Sequence, residues 1–134
     1  MLKITNIEII KILNSGGKDA IQTTIILNKK HEGIASTPSA IIPGKREVNT
    51  TIYNNIYNSD DLNSIINELY KMKVVTQQNA DEILQKYIDI VGSDICLSIS
   101  LALARAISKS KGISLINYIE RISKKQVRLG MRGR

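Results

Sequence analysis

The segment SDICLSISLALARAISKSKG, residues 93–112, is apolar on almost every side between Ile95 and Ile107. A helix with that distribution is stable only when other elements cover most of its circumference, and Gly112 supplies its stop. The rest of the chain must provide that cover. On the N-terminal side two helical patterns lead up to it. In SDDLNSIINELYKM (59–72), Ser59 can cap, Asp60 and Asp61 favour the positive end of the helix dipole, and Leu62, Ile65, Ile66 and Leu69 form one stripe. In NADEILQKYIDIV (79–91), Asn79 with Glu82 resembles a capping box, and Leu84, Tyr87, Ile88 and Val91 share a face. After Gly112, SLINYIERIS (114–123) predicts a last amphipathic helix.

Further upstream the period changes from about 3.6 to two. Residues 2–12 are isoleucine-rich with partial alternation, NSGGKD (14–19) supplies a turn, and AIQTTIILN (20–28) is a β-branched run. KKHEG (29–33) turns the chain again before a short third strand, IAST (34–37). NTTIYNNIYNSDD (49–61) is polar without a clear period and reads as a loop or weak helix. Strands followed by helices is the α+β pattern: a three-stranded antiparallel β-meander followed by about four helices.

A chain of 134 residues suits one domain. With five Tyr, no Trp and no Phe, its core must be aliphatic. No apolar run of about 18 residues is present to span a bilayer, and MLKITNIEII lacks the long apolar segment of a secretory signal. A single cysteine precludes an internal disulfide and suits a reducing compartment, so the expectation is cytoplasmic. The net charge of +7 is unevenly placed. Residues 1–120 hold 13 Lys/Arg against 12 Asp/Glu, whereas 121–134 hold six cations and no acid: Arg121, Lys124, Lys125, Arg128, Arg132 and Arg134. The reading is a nearly neutral domain (1–120) with a basic C-terminal tail (121–134), and such tails suit nucleic acid or anionic surfaces.

Other chemistry finds little support. His31, the only histidine, has no second His or nearby Cys with which to build a zinc site and reads as a surface turn residue. Cys96 lies on the apolar helix, where an unmodified thiol behaves as a small hydrophobe. SGGK (15–18) lacks the spacing and the Ser/Thr of a phosphate-binding loop. The acidic pairs Asp60–Asp61 and Asp81–Glu82 sit in first helical turns, where the dipole accounts for them. Asn49 begins an NTT triplet, which carries no meaning in a cytoplasmic chain. No metal or cofactor is expected from these residues.

Three patches resemble the N-terminal domain of enolase: ILNSGGKDAIQTTIIL (12–27), ASTPSAIIPGKREV (35–48) and VGSDICLSISLALARAISKSKGISLINYI (91–119). They are similar, in order, to that family's first hairpin, its catalytic loop and its buried-helix signature. The resemblance implies a meander with a helical half and, in full-length enolases, a barrel following it. It also implies a loop whose second serine helps bind a catalytic Mg²⁺, an ion that requires oxygen ligands. Pro38 and Ser39 match the start of that loop, and Gly44 and Glu47 match its end. The metal-binding serine, however, falls on Ile42, a glycine falls on Ala40 and a threonine falls on Pro43. In the hairpin Ser15 and Gly17 match, but the family's arginine is Gly16 and its Asn-Pro-Thr is Lys18, Asp19 and Ala20. The resemblance places the acidic ligands, general base and general acid in the barrel, about 250 residues of additional chain.

The resulting expectation is a non-catalytic scaffold that binds RNA through its basic tail, as a ribosomal or other ribonucleoprotein component. Six cations give phosphate attraction, and the tail holds no aromatic on which a base could stack. The alternative is a protein–protein adaptor or oligomerisation module that binds an enolase or another protein. The isoleucine- and lysine-rich composition would suit an archaeal source.

Overall fold

The computed structural model describes residues 1–13, 19–38, 51–53, 56–58 and 60–128. In chain order these form β1 (Ile4–Leu13), β2 (Asp19–Leu27), β3 (His31–Pro38), β4 (Thr51–Tyr53) and β5 (Ile56–Asn58). The helices are α1 (Asp60–Lys71), α2 (Gln77–Val91), α3 (Ser93–Lys111) and α4 (Leu115–Arg128). The expected three-stranded meander followed by four helices is present. The sheet is extended by the two short strands, in the order β3-β2-β1-β5-β4. Thr51–Tyr53 and Ile56–Asn58 are thus strands, where a loop or weak helix is expected. β4 and β5 pair with each other, and Ile56 meets Ile10 of β1.

The meander forms because its alternation points one set of β-branched side chains at the helices. Ile7, Ile9, Ile21, Ile25 and Ala35 are buried on that side, with Thr24, Ile26 and Ile34 on the other. The β2–β3 turn falls at Leu27–Lys30, two residues before the expected position. Asn28 and Lys29 both take positive φ (53° and 58°), and Lys30 N–H donates to the Leu27 carbonyl at 2.9 Å. This is the mirror-image turn that matches strand twist. Its asparagine is held in place: Lys3 N–H donates to Asn28 Oδ1, and Asn28 Nδ2 donates to the Met1 carbonyl. His31 therefore opens β3, half-buried, rather than sitting in a turn.

α3 lies across β2 and β3 and is buried along most of its length, as its composition requires. The approach is closest at Gly33. A Cβ there would lie 3.0 Å from Ala106 Cα and closer still to the Ala102 carbonyl oxygen and the Ala106 amide nitrogen. Two hydroxyls join the layers. Thr23 Oγ1 and Ser98 Oγ, both fully buried, are 2.7 Å apart, and Ser98 Oγ donates to the Ile95 carbonyl. α1 and α2 complete the cover with Leu62, Ile65, Leu69, Ala80 and Leu84. α2 begins a turn earlier than the Asn79–Glu82 pattern suggests. Thr76 is its N-cap, and Asn79 N–H donates to Thr76 Oγ1 at 3.1 Å. Ser59, expected to cap α1, lies outside the described residues.

Candidate functional site

The six basic residues of the expected tail divide in two. Arg121 and Lys124 are exposed on α4, positions 125 and 128 belong to the same helix, and Arg132 and Arg134 lie outside the described residues. α4 starts where it does because Gly112 ends α3 in the left-handed region (φ 68°) and Ser114 Oγ accepts from Asn117 N–H. One side of α4 is fixed to the body: Tyr118 is buried, and Leu115 and Ile122 pack against the core. Positions 121, 124, 125 and 128 follow i, i+3, i+4, i+7 spacing, so they line one ridge of the helix. At a rise of about 1.5 Å per residue the ridge is roughly 10 Å long.

A polar cluster beneath α4 sets its position. Tyr118 OH donates to Gln77 Oε1 at 3.2 Å, and Gln77 Nε2 donates to Ser100 Oγ at 3.0 Å and to Asp81 Oδ1 at 3.3 Å. Ser100 Oγ donates to Asp81 Oδ1 at 2.8 Å. Burial pushes the Asp81 carboxyl above its ordinary range, although the Ser100 and Gln77 hydrogen bonds pull the other way. Burial, with a smaller contribution from the Asp81 charge, pushes the Tyr118 phenol up to about 12. α2, α3 and α4 are therefore tied together by neutral and charge-assisted hydrogen bonds in a partly dehydrated site.

A groove of about 780 Å³ runs beside this cluster, between the start of α2, the end of α3 and α4. Its apolar floor includes Val75, Ile107 and Ile122, and its rim carries Lys111 and Arg121. Neither Lys111 nor the groove was anticipated from the sequence, where Lys111 is simply one of two cations in the last turn of α3. A second groove, of about 550 Å³, lies at the root of the loop that follows β3. Thr37, Pro38, Leu84, Ile88, Asp94 and Leu97 line it, and Thr37 Oγ1 donates to the Asp94 carbonyl at 3.0 Å.

The loop positions 39–47, including Ile42, and Ser15 to Lys18 of the first hairpin lie outside the described residues. Donor chemistry nonetheless settles the fit of a divalent ion at position 42: an isoleucine side chain has no lone pair to offer. Among the described residues no group of three or more His, Cys, Asp or Glu is placed to hold a metal. Cys96 is buried, its Sγ donating to the Leu84 carbonyl, as expected of a core thiol. Asp60 and Asp61 lie in the first turn of α1, where the dipole accounts for them. Asp81 and Glu82, by contrast, fall past the first turn of α2, which begins at Gln77, and hydrogen bonds from Gln77 and Ser100 hold Asp81 instead. No helix among the described residues is long and apolar enough to cross a membrane.

Residues 4–119 match the family described as Enolase, N-terminal domain. The chain belongs to that family. Enolase from Picrophilus torridus is 31% identical over 88% of this chain and 30% of its own length. Enolase from Helicobacter pylori (strain HPAG1) is 28% identical over 89% of this chain and 32% of its own length. The chain thus spans about a third of the curated relatives it matches. The enolase N-terminal domain match ends two residues before Arg121, so the basic ridge lies beyond the matched region.

Proposed function

We propose that this enolase N-terminal domain is a non-catalytic scaffold that binds RNA in the cytoplasm. Arg121, Lys124, Lys125 and Arg128 of α4 contact phosphates, and Arg132 and Arg134 extend the contact. We propose further that it serves as a component of a ribosomal or other ribonucleoprotein particle. The observation that carries it is the i, i+3, i+4, i+7 spacing of cations on a helix that Leu115, Tyr118 and Ile122 fix to the body along the neighbouring side. Phosphate neutralisation needs charge at a spacing the backbone can follow, and it needs no base-reading element.

The test is binding of a fluorescent single-stranded RNA at several salt concentrations. Six phosphate contacts give a slope of about −4 in log K against log[salt], so affinity falls roughly 300-fold between 50 and 200 mM. Replacing all four helical cations with alanine should remove most of the binding and flatten the slope. Salt-independent binding, or an unchanged slope in that variant, would overturn the reading.

A second reading, a protein–protein adaptor that binds an enolase or another protein, is favoured by Ile116 and Ile119. They are 72% and 45% exposed on α4 and do not belong to the core. Under that reading Ile116→Ser with Ile119→Ser abolishes co-purification of a partner while RNA affinity is unaffected.

A further inference from the structure

The two grooves differ in charge. The one at the root of the 39–47 loop is lined by Asp81 and Asp94 and, among the described residues, by no cation. The one beside α4 is rimmed by Lys111 and Arg121, and no acid is among its described lining residues. Both rim cations are exposed, whereas the floor is apolar. The exposed amides of Gln78 and Asn79 also line it and offer both donors and acceptors, and Ser110, whose hydroxyl donates to the Ile107 carbonyl, keeps an acceptor. The groove volume of about 780 Å³ lies within the range of small-molecule sites.

We infer that this groove takes one unstacked nucleotide: its base against Val75, Ile107 and Ile122, its phosphate between Lys111 and Arg121. An acidic peptide would satisfy the cations, and its backbone could meet the amides, but it would leave the apolar floor without a partner. A purely apolar ligand would leave the cations unused. A nucleotide matches all three surfaces. Arg121 belongs to both the groove and the α4 ridge, so a strand whose phosphates follow positions 128 to 121 is delivered to the groove's mouth. The inference deepens the RNA-binding reading and rests on it for the physiological ligand. It also supplies what the basic ridge lacks, a surface that contacts a base.

The test titrates adenosine 5′-monophosphate, adenosine and inorganic phosphate separately into the isotope-labelled full chain and follows its backbone amides by NMR. The nucleotide should move the amides of residues 75–79, 107–111 and 118–122, saturably. It should bind at least about fivefold more tightly than either adenosine or phosphate. Lys111→Ala and Arg121→Ala should each weaken the nucleotide about threefold to tenfold and leave adenosine unchanged. Phosphate binding as tightly as the nucleotide would reduce the site to an anion patch and overturn the inference, as would shifts confined to other surfaces. An oligoglutamate peptide that competes as well as the nucleotide would likewise sink it. If nucleotide shifts are missing while single-stranded RNA still binds through α4, the groove assignment alone fails. If the nucleotide binds but the four-alanine variant keeps its RNA affinity, the assignment of the RNA site to the α4 ridge fails instead.

Discussion

Gly33→Ala probes the joint on which the fold depends. The added Cβ would meet three backbone atoms of α3: Ala106 Cα at 3.0 Å, with the Ala102 carbonyl oxygen and Ala106 amide nitrogen nearer still. Backbone atoms cannot rotate away as a side chain tip can. Either α3 rises off β3 or the strand bows outward, and the packing around Ala102, Ala106 and Ala35 loosens. Overpacking of this kind costs about 1–3 kcal/mol, and three backbone clashes place it at the top of that range. Alanine also restricts the unfolded chain, which returns about 0.4–1 kcal/mol. The net loss should therefore be about 2 kcal/mol or more, a fall of roughly 6–10 °C in Tm for a domain of this size. Urea denaturation measures it, with Ser36→Ala on the exposed face of β3 as a control expected within about 0.5 kcal/mol of the parent. A Gly33→Ala protein as stable as the control would refute the close approach of strand and helix.

Three further outcomes follow from buried polar groups. The Tyr118 phenol is raised to about 12 in the folded chain, so its contribution is intact below pH 10 and lost as pH climbs toward 12. The loss over that interval is on the order of 2 kcal/mol; urea titrations at pH 9 and 11.5 should show it in the parent and not in Tyr118→Phe, and equal slopes would rule it out. Asp81 is also raised, so its ionisation works against the folded state as pH rises from the ordinary carboxylate range through its folded value. Asp81→Asn should gain on the parent in stability between pH 3.5 and 7, and a constant difference would contradict that sign. At the buried hydroxyl pair, Ser98 already donates to Ile95, so Thr23 must be the donor between them. Ser98→Ala strands a buried donor and should cost about 1–3 kcal/mol, against about 1 for Thr23→Val, which strands none; the reverse order in chemical denaturation would overturn the assignment.

The parts of the fold legible in the sequence were those whose signal is local and periodic. The β-branched run of β2 alternates from Ile21 onward, with Ile21, Thr23, Ile25 and Leu27 buried and the residues between them half-buried. α3 announced its burial by being apolar all round. β4 and β5 gave no such signal: each is three residues long, and β5 is held by a partner, Ile10, that lies 46 positions away. Thr76 and Asn79 are both capping residues spaced by one turn, and local pattern could not choose between them. By composition alone the tail is a sum of charges. The spacing that puts positions 121, 124, 125 and 128 on one ridge was present all along, and it gained meaning only once α4 extended through them. Lys111 could not be found from the chain alone, because what gives it a partner is the packing of α4 beside the end of α3.

The positions that hold the fold are also distinct from those that carry the family's chemistry. β3 is pinned at its middle by Gly33 against α3 and at its end by Thr37 Oγ1, which donates to the Asp94 carbonyl in a buried bond. Both anchors precede Ser39, where the loop begins that resembles the metal-binding loop of enolases. Neither uses an oxygen ligand, a divalent ion or any residue of 39–47. An aliphatic side chain at position 42 is therefore compatible with an unaltered scaffold, because the contacts that place β3 on α3 are satisfied within the described residues. The basic ridge begins just past residue 119, the end of the matched family region, on a helix that Tyr118 and Ile122 fix along the neighbouring side. A scaffold whose sheet anchors avoid the loop can carry an altered loop without repacking its core.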